Sequence, residues 1–527
     1  MSSIKIEFYF IFSRAKLEDE FFCVWGRRWL FVFRSKMVFC GNNHGVGVIM
    51  DRKTRVEILS QLLGKSFDIE VRDIEGEKGA ITLVYADVIV DKDILARDLI
   101  TPIQDMLDSM PPTLDKVGEC VLTPARITEA HDLKEVSVKV ADGSIAIVMD
   151  SGVLLTVLKK VAHRPVGEPP TGTSVKGPRE GFTEELRANV SLLRRKLKTP
   201  TLTLEKHVVG KYTHTDVVIC YLRGIADENI IQKVRNKIVG IDIDGILDAS
   251  YISHYLEEEP NSIFRHTGTT EKPDILAGKL LEGRVAILVD GSPIALTVPF
   301  LLVEDMQDAD DYYKKDYRIT FERIVRLLGA MLAVLIPAVY VALQEFQYQF
   351  VPLKFLITLL NATSGIPLTP TLEMLTVLLL FEVLNETSVR MPKYVGMAIS
   401  VVGAIVLGDT AVNAGLLGSP AVLVTAISGI GLYCVPDDAG AFSLLRLAFV
   451  CIAGVTGIFG LVLGVMVLLA YLVKSNSYGA PYLAPYAPIV REDLKDGVFF
   501  GGLGKMKLRP KSFPHHNSVR IGEDYDE

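Results

Sequence analysis

The chain has 527 residues, of which 23% are charged, and a formal net charge of -7. This length predicts more than one domain. The acidic balance, without a dense basic patch that is interleaved with aromatic residues, argues against nucleic acid as a partner. The six scattered cysteines show no spacing typical of a metal site, so we expect neither a metal ion nor another cofactor.

The first 49 residues differ in character from the rest of the chain. They contain both tryptophans, and the stretch IKIEFYFIF is short and interrupted by charge. It lacks the basic region, apolar core and cleavage site of a signal peptide. From Met50 onward, MDRKTRVEILSQLLG has the pattern of an amphipathic helix. We therefore predict that Met50 is the natural start and that residues 1–49 are an extension. The alternative is a genuine N-terminal segment.

Strands alternate with helices between residues 50 and 318, which is typical of α/β units. FDIEVRDI and GAITLVYADVIV predict two strands, and Asp91 is placed to cap the helix that follows them. Beyond a Pro- and Gly-rich boundary, GRVAILVDGSPIALTVP predicts a hairpin that turns at Asp290-Gly291. The sequence thus predicts two small α/β subdomains, at residues 50–165 and 166–318.

Two fragments of this region resemble catalytic or metal-binding motifs. Gly64-Lys65-Ser66 resembles the end of a phosphate loop, but position 59 is Leu where that loop requires Gly. DIDGILD, Asp242 to Asp248, resembles a calcium loop, yet it lacks the full ligand spacing and the closing Glu. A turn followed by a capped helix explains DIDGILD better. The sequence therefore does not indicate an enzyme.

Long apolar runs dominate residues 319–475, so we predict an all-α membrane domain of four or five helices, followed by a tail at residues 476–527. The first span is expected at Leu327 to Phe346, whereas Leu353 to Leu360 is too short to cross. The run from Leu444 to Val473 is long enough for one tilted helix. Basic residues before the first span and in the tail favour a cytoplasmic position for both, and hence four crossings.

The apolar run Val395–Leu416 contains a carboxylate, Asp409, with Asn413 four residues later. Beside this pair, one face of the predicted helix is small or polar except for one leucine. That face consists of Gly396, Ser400, Gly403, Leu407, Thr410 and Ala414.

Two interpretations of this helix compete. In the first, the small residues allow close helix packing, and Asp409 is bonded to Asn413 or to another helix. In the second, several copies of the helix line a water-filled pore. Leu407 is then the hydrophobic constriction, and Asp409 attracts cations near one mouth. For Glu373 and Glu382, in the preceding apolar run, an interfacial position is expected instead.

Several long stretches resemble the A-subunit of GerA-type spore germinant receptors. They include GPREGFTEELRANVSLLRRKLKTPTL from Gly177, IDIDGILDASYI from Ile241 and PYLAPYAPIVREDLKD from Pro481. A fourth stretch, Glu271 to Tyr313, contains the predicted hairpin. The resemblance runs in register from about Phe67 to Pro510 and leaves residues 1–49 outside it.

The resemblance implies a protein of the spore inner membrane that works with a transporter-like B-subunit, which carries the nutrient pocket, and a lipoprotein C-subunit. It also implies a homo-oligomeric ring, expected to be a pentamer, that forms a nutrient-gated cation channel. A ring needs one helix per copy along its axis, which favours the pore interpretation of Val395–Leu416. The alternatives are a non-conducting scaffold that clusters receptors, and the similar germination protein of the dipicolinate-channel operon. A secondary transporter would require internal repeats, which the sequence does not reveal.

Overall fold

The computed structural model divides the chain into two compact units, Met1–Lys160 and Val161–Glu527, which are described separately. The residues that it describes are 30–33, 37–42, 45–120, 127–158, 177–392, 395–396, 402–403 and 405–520. The finer domain boundaries expected from the sequence stay predictions.

The first unit contains two antiparallel sheets. A three-stranded sheet lies within the predicted extension, and a five-stranded sheet with the order β4-β5-β7-β8-β6 follows it. The strands are β1 Leu30–Phe33, β2 Met37–Asn42, β3 Gly45–Ile49, β4 Ile69–Gly76, β5 Gly79–Ala86, β6 Thr128–Ala130, β7 Ser144–Val148 and β8 Val153–Val157. The helices are α1 Arg52–Leu62, α2 Lys92–Leu95, which continues through a π-helical turn at Ala96–Ile100 into α3 Thr101–Ser109, α4 Leu114–Cys120 and α5 Leu133–Ala141.

Helices cover both faces of the five-stranded sheet. Leu83 of β5 lies in the apolar cluster that includes Leu99 and Ile103. The next residue, Val84, lies in the opposite cluster with Leu59 of α1 and Val140 of α5. Successive side chains of a strand point to opposite faces, so a strand buried on both sides is apolar throughout.

The second unit begins with the same order of elements. Its sheet has the order β9-β10-β12-β13-β11, which matches the first sheet strand for strand. The strands are β9 Leu202–Val209, β10 Thr215–Leu222, β11 Gly268–Thr270, β12 Val285–Val289 and β13 Ala295–Val298. The helices are α6 Leu186–Lys196, α7 Glu228–Val239, α8 Ala249–Leu256 and α9 Pro273–Glu282. The α/β part of the chain therefore contains a structural duplication that the sequence did not reveal.

Local signals in the sequence located several of these elements. Asp91 accepts hydrogen bonds from the backbone N–H groups of Asp93 and Ile94 at the start of α2, as predicted. The β12–β13 hairpin turns at Asp290-Gly291, where Gly291 has φ +84°. Asp248, the last residue of DIDGILD, accepts from the N–H of Ser250 and caps α8, so the turn-and-cap interpretation is confirmed.

A helical domain and a C-terminal segment complete the second unit. The helices are α10 Asp316–Glu345, α11 Leu353–Thr363, α12 Pro370–Arg390, α13 Ala411–Asn413, which follows a π-helical turn at Val406–Thr410, α14 Ser419–Leu432 and α15 Ala439–Lys474. The short strands β14 Asn476–Ser477 and β15 Ala480–Pro481 follow. Within the described part, two helices are long and apolar enough to cross a membrane, Asp316–Glu345 and Pro436–Lys474.

The prediction of one tilted helix over Leu444 to Val473 is wrong, because α15 folds back on itself at Gly457. This glycine has φ +65° and ψ -152°, which separates two helical halves. Asp438, before the first half, binds Arg265, while Tyr471, near the end of the second half, donates to Ser262. Both ends of α15 thus meet the loop at residues 262–266, which makes α15 an antiparallel hairpin. Each half is about 26 Å long.

The contacts trace the path of the chain through the helical domain. We call the end beside residues 262–266 proximal and the end at Gln347 distal. The N–H of Ile458 donates to Gln347, so the tip of the hairpin is distal. Thr371 at the start of α12 binds the carboxylate of Glu345 and is distal too.

The remaining helices follow from similar contacts. Gly396 lies against Ser388 near the end of α12, and the N–H of Gly418 donates to Glu373 near its start, so the chain is at the proximal end at Gly396 and at the distal end at Gly418. Ser428 of α14 then binds the carbonyl of Ala333 on the way back. The described residues therefore make six passes through the helical domain, and the chain returns to the proximal end.

The fold of α15 makes a prediction at Gly457. The φ/ψ values there cost a residue with a side chain about 1–3 kcal/mol. An added Cβ would also lie 2.8 Å from the Gln347 amide and 3.0 Å from Phe346. We expect Gly457→Ala to lower the melting temperature of the purified full-length protein. Gly440→Ala is the control, because Gly440 has open space around it. Equal melting of the two variants would contradict the hairpin turn.

Candidate functional site

The structure places Asp409 on the surface of the protomer, at the distal end. Asp409, Thr410, Asn413 and Ala414 are all exposed. The Asn413 amide donates to the Asp409 carboxylate at 2.7 Å, so the two residues form a pair. Ser400 lies outside the described residues, and only the backbone of Leu407 is described.

The predicted small face of this helix is split into two parts. Gly396 and Gly403 are buried against α12, where an added Cβ would approach Ser388 and Leu384 at 2.9 and 2.7 Å. The exposed residues begin beyond the π-helical turn at Val406–Thr410. A π-helical turn contains an extra residue and so rotates the face that follows it. The proximal part of the face therefore serves helix packing, and the distal part points away from the protomer.

A buried ion pair holds the proximal half of the helical domain together. Arg446 in the first half of α15 is fully buried and forms an ion pair with Glu382 of α12. Its guanidinium also donates to Ser428 of α14 at 3.0 Å, and that hydroxyl donates to the carbonyl of Ala333 in α10 at 2.6 Å. Four helices thus meet at one guanidinium. We call these residues the Arg446 node.

Glu373 is buried inside the protein, near the distal end of the helical domain, and its expected interfacial position stays a prediction. Its side chain is 2% exposed and accepts a hydrogen bond from the N–H of Gly418 at 2.6 Å. This contact fixes the start of α14 to the start of α12. A carboxylate that caps the first N–H groups of a helix is favourable, because those groups have no partner within the helix.

The loop at residues 262–266 connects the second α/β sheet to both ends of the α15 hairpin, and we call it the clasp. At the first end, Arg265 binds Asp437 at 3.1 Å and Asp438 at 3.2 Å. It also binds Asp305, in the segment that follows β13 of the second five-stranded sheet, at 2.5 Å. Phe264 meets Phe442 edge to face, with ring centroids 6.3 Å apart.

The second end of the hairpin is held by the other residues of the clasp. Ser262 accepts a hydrogen bond from the Tyr471 hydroxyl at 2.9 Å, and His266 is hydrogen-bonded to Ser475 at 2.7 Å. His266 is fully buried. A displacement of this loop would therefore move both ends of the hairpin together.

The electrostatics of the clasp are unbalanced, because one guanidinium faces three carboxylates. Burial alone would lower the pKa of Arg265, but Asp305, Asp438 and Asp437 outweigh it and raise that pKa above its ordinary value. Burial raises the pKa of Asp305 well above its ordinary value, against the effect of Arg265. Arg265 is consequently the charge on which the contact between sheet and hairpin depends.

The described residues contain no group of three or more His, Cys, Asp and Glu side chains that could hold a metal ion. Sequence reasoning singled out the helix with Asp409 but missed the Arg446 node and the clasp. Arg446 lies 64 residues from Glu382, and Arg265 lies 172 residues from Asp437. No local spacing links such partners.

Comparison with known proteins gives the chain its family. A sequence model of the Bacillus/Clostridium GerA spore germination protein matches residues 57–512. The chain belongs to the GerA family. Spore germination protein KA of Bacillus subtilis (strain 168) is 34% identical over 470 residues, which cover 88% of this chain and 86% of the relative. GerQA of Bacillus cereus, also named a spore germination protein, is 30% identical over 470 residues, which cover 88% and 93% of the two chains. This membership gives the chain a role in spore germination.

One solved structure is also similar. It is the crystal structure of the N-terminal domain of the A subunit of the Bacillus megaterium spore germinant receptor GerK3. The match is 28% identical, has a TM-score of 0.38, and covers 47% of this chain and 94% of that one.

The Arg446 node makes a prediction about stability. Removing one partner of a buried ion pair costs about 3–5 kcal/mol, and the low end of that range applies here because the Glu382 side chain that stays behind is 31% exposed. We expect Arg446→Met to destabilise the purified full-length protein by that amount in denaturant unfolding. The double variant Arg446→Met/Glu382→Leu should recover a large part of the loss.

The matched control is Arg390→Met. Arg390 forms an ion pair with Glu386 on α12, but both side chains are mostly exposed. Exposed pairs contribute little. If Arg390→Met and Arg446→Met unfolded at the same denaturant concentration, the Arg446 node would not hold the helices.

Proposed function

We propose that this chain is the A-subunit of a nutrient germinant receptor in the spore inner membrane and that several copies assemble into a ring, expected to be a pentamer, that conducts cations. The distal residues Asp409, Thr410 and Asn413 line the path. The observation that carries the proposal is the exposed Asp409–Asn413 pair, which lies within the apolar run 395–416 at the distal end of the helical domain.

The physical argument concerns the cost of an exposed charge in lipid. A carboxylate that faces hydrocarbon costs several kcal/mol, so intramembrane carboxylates face a cavity, a water path or a partner. Asp409 is turned away from its own protomer, which leaves an aqueous path or a neighbouring copy. A ring of such carboxylates attracts cations, as in other cation channels. On this proposal Gly396, Ser400, Gly403 and Leu407 belong to the helix that carries the path, and the two glycines hold it against α12.

The arrangement of passes supports a multi-pass topology with both ends on one side. The C-terminal segment lies against the second sheet unit, since the N–H of His516 donates to the carbonyl of Ile225 and Arg509 donates to Leu281. An even number of passes follows, which we propose to be six rather than four or five. Basic residues at the start of α10 support a cytoplasmic position for the proximal end, in accordance with the positive-inside rule.

The clasp gives the cytoplasmic part a way to act on the helical domain. Nutrient bound on the transporter-like B-subunit favours one state of the ring, and a ligand shifts such an equilibrium only through its different affinity for the two states. The lipoprotein C-subunit completes the receptor. We propose that, when the ring changes state, the clasp transmits a movement of the second five-stranded sheet to the α15 hairpin.

A non-conducting scaffold is the second candidate. The burial of Gly396 and Gly403 against α12 favours it, because close packing accounts for those two residues without a pore. The two candidates differ at Asp409, since a scaffold has no use for a carboxylate that faces water.

The first test is Asp409→Asn, which keeps the shape of the side chain and removes its charge. We expect roughly threefold to tenfold slower potassium release from spores after nutrient addition, because fewer cations are drawn to the mouth. The matched control is Glu386→Gln, which removes another exposed carboxylate of the helical domain. Normal release from Asp409→Asn spores with full protein level would favour the scaffold.

The second test concerns the clasp. Arg265→Gln leaves Asp305, Asp437 and Asp438 without their shared cation, so we expect the nutrient dose response to shift to higher concentration at unchanged protein level. Lys211→Gln is the control, since Lys211 forms an exposed ion pair with Asp242. An unchanged dose response in Arg265→Gln spores would exclude the clasp as the coupling element.

A further inference from the structure

An exposed apolar cluster lies where the C-terminal segment crosses the start of α10. Tyr317, Phe321 and Phe499 are 75%, 66% and 69% exposed, and Leu503 is 50% exposed. We call these four residues the collar. Soluble surfaces seldom expose several large apolar side chains together, and such patches mark sites of interaction with protein or membrane.

The C-terminal segment is fixed to α10 by specific contacts. The N–H of Phe500 donates to the Thr320 hydroxyl at 3.1 Å, and the Phe500 ring lies in an apolar cluster with Ile319. Gly502 approaches Asp316 so closely that an added Cβ would lie 2.6 Å from its carboxylate. The turn that carries Phe499 and Leu503 is therefore held beside the first turns of the helix.

The exposed side of α10 continues from the collar without interruption. Asp316 and Thr320 face the C-terminal segment. Successive residues of an α-helix are rotated by about 100°, so Tyr317 and Phe321, which each follow one of these residues, lie on the neighbouring face of α10. The same exposed face carries Val325, Leu328 and Leu332 further along the helix. Those three residues belong to the apolar helix that we propose to span the bilayer, so the collar is the proximal end of a lipid-facing surface.

Basic residues surround the collar. Lys315 precedes Tyr317 by two residues, and Lys505 follows Leu503 by two; both are exposed. Within the described part of the chain, the side-chain ammonium groups of these two lysines have no hydrogen-bond or ion-pair partner. Lys314 and Arg318 share the single carboxylate of Glu322. With Asp316 also counted, the four cations Lys314, Lys315, Arg318 and Lys505 face two carboxylates, so the surroundings of the collar stay positive. Apolar side chains ringed by cations match the chemistry of an anionic membrane surface.

We infer that the collar inserts into the headgroup region of the cytoplasmic leaflet and that Lys315 and Lys505 bind anionic lipid headgroups there. The inference rests on the proposed membrane position of α10. On this inference, the function of the C-terminal segment is to anchor the proximal end of the helical domain to the bilayer surface, beside the clasp.

The test uses tryptophan fluorescence of the full-length protein in vesicles that contain brominated lipids, which quench tryptophan on contact. Trp25 and Trp29 are first replaced by Phe, and single tryptophans are then introduced as Phe499→Trp, Leu328→Trp or Tyr212→Trp. Leu328 reports on the proposed span, and Tyr212, which is 81% exposed in the turn between β9 and β10, is the control outside the collar.

We expect strong quenching at Leu328, at least twofold weaker but clear quenching at Phe499, and none at Tyr212. Quenching at Leu328 without quenching at Phe499 would overturn the collar while leaving the membrane position intact. Absence of quenching at both would instead overturn the membrane position itself.

The role of the cations is tested in the same system. Quenching at Phe499 should rise when phosphatidylglycerol is added to phosphatidylcholine vesicles, and the additional variant Lys505→Gln should reduce that rise. Quenching that is equal in both lipids would overturn the headgroup contact. Cross-linking of position 499 to a second copy of the chain, without quenching, would assign the collar to a subunit interface and contradict the inference.

Discussion

A buried guanidinium must be paired, and this constraint determines how the second unit is assembled. Burying a cation without partners costs several kcal/mol, so each buried arginine fixes the positions of the groups around it. Arg284, directly before β12, binds Glu304. Burial alone would raise the pKa of Glu304, but Arg284 and Lys279 lower it to about 2. Arg265 joins the sheet unit to the hairpin, and Arg446 joins four helices. Together, the pairings of Arg284, Arg265 and Arg446 connect the second sheet, the α15 hairpin and the core of the helical domain.

These pairings lie toward the proximal end, and the distal end is built differently. There the contacts are hydrogen bonds to neutral groups, such as Glu345 with Thr371 and Gln347 with the N–H of Ile458. On our proposal, the proximal end transmits the displacement of the sheet unit and the distal end contains the mouth of the path. A domain of this kind changes shape more easily at the end where fewer ion pairs must break.

The sequence predicted the sheets well and the helical domain poorly, for physical reasons. Strand periodicity, the Asp290-Gly291 turn and the Asp248 cap are local properties, so they can be predicted from a single sequence. The break in α15 could not be predicted from the sequence. Four glycines, Gly454, Gly457, Gly460 and Gly464, follow one another at helical spacing, and only tertiary contacts decide at which of them the chain turns. Long-range ion pairs leave no local pattern either.

The duplication of the five-stranded sheet in the α/β part of the chain could not be predicted from the sequence, for a related reason. The two sheets share strand order, but each keeps only the alternation of apolar residues that a buried strand requires, and many residues satisfy that alternation. Topology can therefore persist after side-chain identity has changed. The π-helical turn at Val406–Thr410 was equally invisible, and it splits a face that regular helical spacing makes continuous.

The carboxylates of the helical domain show most clearly what the structure adds. In the sequence, Glu373, Glu382 and Asp409 all stand in apolar runs and are equally ambiguous. In the structure, Glu382 is paired with the Arg446 guanidinium, and Glu373 is buried and accepts a hydrogen bond from the N–H of Gly418. Asp409 differs from both because it contacts no other helix in the described hydrogen bonds: it is exposed and accepts from Asn413 of its own helix. On our proposal, a ring of copies around an aqueous path surrounds this exposed carboxylate with water and cations, and the position of Asp409 is then explained by its function and not by packing within one protomer.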